Sequence, residues 1–383
     1  MEITLQELEQ LQQSQKEDHL LIDIRDEGKV SYGTIPGALV ISEEKLPGDP
    51  RLTKDKKIIL YCDKGVLTPP AAERLRALGY EAYSLKGGYI GWLLQQVHAE
   101  KKADFCKDVE MSLRKKFRRN IWCNFTKAIN TYELVKPGDK IAVCISGGKD
   151  SMLMAKLFQE LKLHNKFPFE VSFLVMDPGY SPANRAVIEE NAEKLHIPIR
   201  IFTSEIFDAV YTIEKNPCYL CARMRRGHLY AYAREMGCNK IALGHHYDDV
   251  IETILMGMLY GGQVQTMMPK LHSTNFPGME LIRPMYLIRE EAIKAWRDHN
   301  GLHFIQCACK FTDTCTTCSN NENTSKRLET KKLIADMKTI NPFVESNIFR
   351  SVENVNLSTV IAYKQDGIKH HFLDHYDETG DEN

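Results

Sequence analysis

Apolar and polar positions along the chain follow two rhythms. Short, mostly β-branched apolar runs have the length of buried strands, and between them apolar residues return every three or four positions, as on a helix face. Leu20–Ile24 and Lys57–Cys62 are strands of this kind. The stretch Pro70–Leu78 puts Ala71, Ala72, Leu75 and Leu78 on one side of a helix, and Gly79 stands where a C′ glycine closes it. Gly33–Ala38 is a turn into a short strand, Leu39–Ser42. Glu81–Leu85 is another strand, and Gly87-Gly88 opens a turn. Further along, the runs Ile141–Ile145, Val171–Met176, Ile199–Phe202 and Lys240–Leu243 alternate with helical stretches. Strand–helix alternation predicts parallel sheets with crossover helices. The fold class is therefore α/β: a small domain over 1–98 and a doubly wound parallel sheet over 136–300. Residues 99–112 are charged and read as a linker, so that 99–135 is a linker with a basic helix. Residues 301–383 hold a Cys-rich segment, helices and an acidic tail.

A chain of 383 residues suggests two or three domains. Its 43% hydrophobic and 26% charged residues are ordinary for a soluble globular protein. With no apolar run of spanning length and no secretory leader, no membrane association is expected and the cytoplasm is the expected location. Eleven cysteines without an export signal favour metal-binding or catalytic thiols over disulfides.

The most informative stretch is Ile141–Ser151. A buried strand ends at Ser146-Gly147-Gly148 and a helical run follows. Strand, glycine turn and helix together aim backbone N–H groups and a positive helix end at one point, which is an anion site. Lys149 and the hydroxyls of Ser146 and Ser151 add to the cradle. This is not a Walker-type loop, because Gly147 and Gly148 are adjacent and Asp150 follows Lys149. The string Ser-Gly-Gly-Lys-Asp-Ser resembles that of the PP-loop ATPases. The resemblance implies a domain of the adenine nucleotide α-hydrolase-like type. Such enzymes cleave ATP between the α- and β-phosphates and adenylate a substrate. The ATP-binding residues are then Ser146, Gly147, Gly148, Lys149, Asp150 and Ser151. Asp177, past the second strand, and Gly244, ending a later one, join them.

In the first domain Cys62 ends a strand and opens a loop that feeds a helix, where backbone N–H groups lower a thiol pKa and hold an anion. Ile22-Asp-Ile-Arg25, Gly33-x-Ile-Pro-Gly-Ala38, Tyr61-Cys62 and Leu85-x-Gly-Gly88 resemble a rhodanese domain over almost all of 1–98. The resemblance implies that Cys62 carries a sulfane sulfur as a persulfide. The sequence departs from the family pattern at Thr34, where His is usual, and at Leu67, where an Arg is usual. Lys64 is left as the loop's cation. An inactive rhodanese fold used for docking is the alternative.

Leu113–Asn120 carries five cations, Arg114, Lys115, Lys116, Arg118 and Arg119, around Phe117. Such a run is a solvated face or a phosphate-backbone contact. Asn216–Gly227 begins a helix with Cys218 and Cys221 one turn apart, able to grip a metal or a cluster edge. Arg223, Arg225 and Arg226 follow, and Arg225 and Arg226 are taken with the basic helix as RNA contacts. In Gly244-His-His-Tyr-Asp248-Asp249 the acids begin a helix, where carboxylates hold Mg²⁺ or act as a base. The candidate catalytic residues are thus Cys62, Asp150, Asp248 and Asp249.

These motifs, with Tyr260-Gly-Gly262 and Ile282-Arg-Pro284, occur in the order found in the tRNA 2-thiocytidine synthetase family, and the chain resembles it from about residue 113 to 355. That resemblance implies ATP-, Mg²⁺- and [4Fe–4S]-dependent thiolation of a tRNA cytidine through an adenylated base. It implies a cluster held by Cys218, Cys221 and a third cysteine, Cys307 or Cys309. Cluster-bearing members of the family tend to be dimers, so a homodimer is one option for the open oligomeric state, and the rhodanese domain would relay sulfur from a donor such as a cysteine desulfurase. Fusion of carrier and enzyme raises the effective donor concentration to roughly millimolar. Cys307, Cys309, Cys315 and Cys318 alternatively make a Cys₄ Zn²⁺ site. Two other functions stay open. One is sulfur insertion into a different nucleoside or a small molecule. The other is an RNA-binding sulfur or iron sensor with an inert rhodanese domain.

Overall fold

A computed structural model describes residues 1–13, 18–30, 33–99, 105–164, 166–204, 217–305 and 325–376. The chain divides into two compact units, one of Met1–Asp248 with Met268–Thr324 and the other of Asp249–Met267 with Ser325–Asn383.

The first unit holds two α/β layers. In the N-terminal one, β1 (Glu2–Ile3), β2 (His19–Asp23), β3 (Leu39–Val40), β4 (Lys57–Tyr61) and β5 (Ala82–Leu85) form a sheet in the order β1-β5-β4-β2-β3. Every neighbouring pair is parallel. Helices α1 (Leu5–Gln13), α2 (Glu27–Val30), α3 (Thr68–Ala77) and α4 (Gly88–Ala99) complete it. Helix α3 ends at Gly79 with φ +85°, the left-handed C′ position its sequence predicts.

The second sheet has the order β10-β11-β9-β6-β7-β8. Its strands are β6 (Lys140–Ile145), β7 (Glu170–Asp177), β8 (Ile199–Thr203), β9 (Lys240–Ala242), β10 (Lys270–His272) and β11 (Glu280–Ile282). All pairs are parallel except β10 with β11, an antiparallel edge. The chain runs outward from β6 through β7 to β8, then returns to β9 on the other side of β6. The β6–β9 boundary is therefore a topological switch point, where doubly wound sheets open a crevice at their carboxyl ends.

Residues 105–112, expected in a linker, are helical: α5 covers Phe105–Arg114. Two of its charges, Glu110 and Arg114, meet the buried Lys156 and Glu160, while Lys107 and Asp108 are exposed. The buried Lys156 ammonium donates to Glu110 Oε1 at 2.8 Å and to the Leu195 carbonyl at 3.1 Å. Arg114 holds the buried carboxylate of Glu160 with two bonds, at 2.7 and 2.9 Å. Cys106, Val109 and Leu113 fill the apolar face. A π-helical turn, Arg118–Trp122, leads into α6 (Cys123–Thr131), and α7 (Lys149–His164), α8 (Pro182–Lys194), α9 (Pro217–Glu235), α10 (Tyr247–Gly261) and α11 (Glu290–His299) follow.

The two layers of this unit share one core. Leu8, Tyr61, Leu85 and Trp92 of the first belong to the same apolar cluster as Phe158, Val187, Ile188 and Ile305 of the second. Helix α4 packs on α8, and Trp92 meets the His303 ring edge-on at 5.2 Å.

In the second unit Arg327 pairs with Asp249 and Glu252 at 3.4 and 3.1 Å. Helices α12 (Ser325–Ile340) and α13 (Val344–Ser351) are tied by Lys338 to Glu345 at 2.9 Å. A hairpin, β12 (Ala362–Gln365) with β13 (Ile368–His371), follows.

Truncating Trp92 to Ala removes the largest apolar contact of α4. The expected cost is about 3–5 kcal/mol of unfolding free energy, read by thermal and denaturant melts. A loss below about 1 kcal/mol would mean that α4 contributes little to the shared core.

Candidate nucleotide and sulfur sites

The switch point brings together the loops after β6 and β9. After β6 the chain turns at Gly147, φ +85°. A Cβ there would lie 2.5 Å from Ile188 Cγ1 and 2.8 Å from Ile305 Cδ1, so only glycine fits both the dihedral and the space. The turn is closed internally. The Ser146 N–H donates to Ser151 Oγ at 3.1 Å, the two hydroxyls share a bond at 3.2 Å, and Ser151 donates to the Gly148 carbonyl at 3.0 Å. Helix α7 starts at Lys149, so the N–H groups of its first turn lie at the turn. Across from it Gly244 lies so close that a Cβ would sit 3.4 Å from Ser151 N.

Lys149 is buried with its ammonium between Asp150 Oδ2 at 3.0 Å and Glu290 Oε1 at 3.3 Å. Glu290 is the functional partner that sequence reasoning missed. It opens α11 beside Glu291, and an acidic first turn reads as ordinary complement to a helix dipole. The other oxygen, Asp150 Oδ1, is buried, accepts no hydrogen bond and lies 3.9 Å from His246 Nε2.

The remaining expected residues divide. Asp248 takes a 2.6 Å bond from the Glu290 N–H and pairs with Arg289 at 3.1 Å, so it caps α11 and sets where Glu290 stands. Asp249 belongs to the second unit, with Arg327. Asp177 accepts the N–H groups of Gly179 and Tyr180 at 2.8 and 2.6 Å and pairs with Arg185 at 3.3 Å, building the turn past β7. Arg225 donates to Tyr180 Oη at 3.3 Å.

Of the basic stretch, Arg114 is engaged by Glu160, Lys116 lies 2.9 Å from His299 Nδ1, and Phe117 is a core anchor. Lys115, Arg118 and Arg119 are exposed. The backbone of Cys218 and Cys221 lies in the first turns of α9. Cys307, Cys309, Cys315 and Cys318 lie outside the described residues. Among the described residues no group of three metal-ligating side chains converges.

Cys62 directly follows β4 and is buried, 4% exposed. Its loop is clamped from below. A Cβ on Gly88, φ +57°, would overlap the Cys62 carbonyl and lie 2.6 Å from Gly65 N and 2.8 Å from the Asp63 carbonyl. The N–H groups of Tyr89 and Ile90 hold the carbonyls of Cys62 and Asp63 at 2.8 and 2.9 Å. Asp63 pairs with Lys29 at 2.7 Å. Arg25, buried, binds Asp23 at 2.6 Å and lies over the Tyr89 ring at 3.8 Å. Leu67 is exposed, and Thr68 binds Ser84 at 2.7 Å. Pro69 and Pro70 remove two of the N–H groups with which α3 would meet an anion.

Fold and site together define an α/β nucleotide-loop protein carrying a second parallel-sheet domain with a loop cysteine. Comparison with known proteins narrows the class. The PP-loop domain family matches residues 115–313, and the rhodanese-like domain family matches residues 4–95. The tRNA-cytidine(32) 2-sulfurtransferase of Coxiella burnetii (strain Dugway 5J108-111) is 34% identical over 243 residues, 62% of this chain and 90% of that one. The tRNA-cytidine(32) 2-sulfurtransferase 1 of Francisella philomiragia is 35% identical over 235 residues, 60% of this chain and 87% of that one. Among solved structures, the U34-tRNA thiolase NcsA of Methanococcus maripaludis, determined with its [4Fe-4S] cluster, overlays with a TM-score of 0.48 at 23% identity. The overlay covers 60% of this chain and 76% of that one. The chain belongs to the PP-loop family and, within it, to the tRNA-cytidine(32) 2-sulfurtransferases. Among the described residues no helix is long and apolar enough to cross a membrane.

Replacing Gly147 with Ala is expected to weaken ATP binding at least tenfold, about 1.4 kcal/mol or more, in a fluorescent-nucleotide titration. Gly138, also at positive φ, meets nothing within 4 Å of its Cβ position. Gly138→Ala should leave ATP affinity unchanged while lowering stability by roughly 1 kcal/mol. Equal ATP affinities for the two variants would show that the Gly147 junction does not shape the nucleotide loop.

Proposed function

We propose that this sulfurtransferase uses ATP to thiolate C2 of the cytidine at position 32 of tRNA, with the rhodanese-like domain as sulfur carrier. The observation that carries the reading is the Ser146–Ser151 turn. It pairs an open helix N-terminus with the buried Lys149 ammonium at the crevice of the sheet. It suits the triphosphate of ATP, whose charge exchanges for the Asp150 and Glu290 carboxylates as partner of Lys149. The cytidine O2 then attacks the α-phosphorus, the bond to the bridging α,β-oxygen breaks, and pyrophosphate leaves with its charge spread over backbone N–H groups and Lys149. The adenylate makes O2 a leaving group, so that sulfide-level sulfur, freed from the Cys62 persulfide by a two-electron thiol reductant that cleaves its S–S bond, forms the C2–S bond as AMP departs.

Two inorganic groups belong to this reading. Asp150 Oδ1, buried and without a hydrogen-bond donor, has the chemistry of a Mg²⁺ ligand beside the phosphates. Cys218 and Cys221, one turn apart at the start of α9, fit one edge of a [4Fe–4S] cluster. Cys307 or Cys309 completes the thiolate set. These two follow Ile305, the residue packed on Gly147 and Gly148, within four positions of sequence. When bound, such a cluster supplies an iron with an open position for sulfur. Cys62 is the carrier, loaded by a donor such as a cysteine desulfurase.

A second reading of the first domain is favoured by its own loop. Leu67 supplies no charge, and Pro69-Pro70 deprives α3 of donors. Here the domain docks a donor and carries no sulfur.

Anaerobically purified protein should hold about four irons and four sulfides per chain. It should also catalyse ATP–pyrophosphate exchange that depends on tRNA, with Asp150→Asn lowering the exchange rate at least a hundredfold. Cys62→Ala should leave exchange intact and abolish thiolation from a desulfurase. Unchanged thiolation by Cys62→Ala would favour docking over carriage. Zinc without iron would remove the cluster, and exchange independent of tRNA would remove the substrate.

A further inference from the structure

Beside helix α9 the structure opens a cavity of about 460 Å³ between that helix, β10, β11 and the loop 273–276. This is a ligand-sized volume, within the roughly 300–1,000 Å³ of small-molecule sites. Among the described residues its lining contains Arg223, Arg226 and Arg283 and not one carboxylate. Cations converging on one space repel one another unless acids or a bound anion compensate them. Among the described residues no carboxylate pairs with Arg223 or Arg226, both exposed on α9. Arg283 is 7% exposed and its guanidinium donates to the Met268 carbonyl, so a permanent charge is fixed in the wall. Burial raises the Tyr230 phenol pKa, against the smaller opposing effects of the Ser273 hydroxyl and the nearby Arg226 and Arg283.

Two other features point to an occupant. Gly227 sits inside α9 and lines the cavity, yet a Cβ there would meet nothing within 4 Å. A helix-interior glycine costs about 1 kcal/mol relative to alanine, and the fold does not need this one. Its effect is to keep the space open. Beside it the lining is aromatic, with Tyr230 of the same helix stacked on Phe276 of the 273–276 loop at 5.2 Å. Fork-shaped guanidiniums beside aromatic faces suit a phosphodiester strand with its bases unstacked. The cavity stands apart from the Ser146–Ser151 turn in its lining residues, so it is not the ATP cradle.

We propose that this groove is a subsite for the sugar–phosphate backbone of the RNA substrate, with Arg223, Arg226 and Arg283 on phosphates and the Tyr230–Phe276 wall beside the adjoining sugar and base. The inference rests on the reading of the chain as a tRNA-thiolating enzyme. The strand would lie on the helix whose first turns carry Cys218 and Cys221.

The test is tRNA binding by the full-length protein across a salt series, with MgATP binding measured beside it. Arg223→Ala/Arg226→Ala should weaken tRNA binding about tenfold. Its log–log salt slope should fall by roughly 1.5, the loss of two phosphate contacts, with MgATP affinity unchanged. Gly227→Leu should keep or raise the melting temperature while also weakening tRNA binding. Wild-type affinity and slope in the double variant would overturn the groove and leave the function standing. So would retained affinity in Gly227→Leu, or a loss confined to MgATP. Wild-type protein that binds tRNA no better than duplex DNA of equal length would overturn the functional reading along with the groove.

Discussion

The backbone at Gly147 is approached by two isoleucines more closely than any side chain would permit, and the rest of the site depends on that junction. Ile188 comes from α8 and Ile305 from the segment after α11. Close-packed interiors transmit position because a methyl group has nowhere else to go. Here the packing fixes the left-handed turn that opens α7, and it fixes the two elements that supply the isoleucines. Helix α8 also receives α4, and His303, two residues before Ile305, receives Trp92. The nucleotide turn, helix α4 under the Cys62 loop and the segment His303–Ile305 thus meet in one apolar cluster. The rhodanese-like layer and the nucleotide loop are parts of a single core.

Charge is arranged around that junction in a chain of dependence. Lys149 is nearly removed from water, and a desolvated ammonium persists only beside anions. Glu290 and Asp150 supply them. Glu290 stands at its post because Asp248 caps the helix that carries it, and Asp248 is steadied by Arg289. The acids that read as metal or base candidates therefore have different work. Asp150 offers a free oxygen to the site, Asp248 positions another acid, and Asp249 pairs within the second unit. A triphosphate entering the turn competes with carboxylates for Lys149, which favours a multiply charged ligand over a singly charged one.

The rhodanese-like layer shows the same economy. Its cysteine loop is held at its carbonyls by the first N–H groups of α4, so the loop and the helix that joins the second layer form one rigid element. Glycine at 88 is required because the loop backbone lies against it. Leu67 and Pro69-Pro70 leave this scaffold undisturbed, since the clamp is made by α4 and Gly88. Scaffold and chemistry are therefore separable in this domain.

What the sequence by itself determined is local: both sheets, the strand–glycine–helix turn at 146–151, the C′ glycine at 79, the helix starting at the Cys218–Cys221 pair, and Cys62 at a strand end. Each rests on spacing or backbone dihedral, which a short window of residues carries. Residues 105–112 read as a linker because they are charged, and Lys107 and Asp108 do stay exposed while Glu110 is half-buried. Glu110 and Arg114 find Lys156 and Glu160 on another helix, and a window of sequence does not show which cation meets which acid. For the same reason only the tertiary structure decided that Glu290 serves Lys149, that Asp248 is a cap, that Arg114 is engaged, and that Arg223, Arg226 and Arg283 surround one space. Those outcomes depend on where the sheet order sends each strand end, and side chains far apart in sequence meet only after the crossovers have closed.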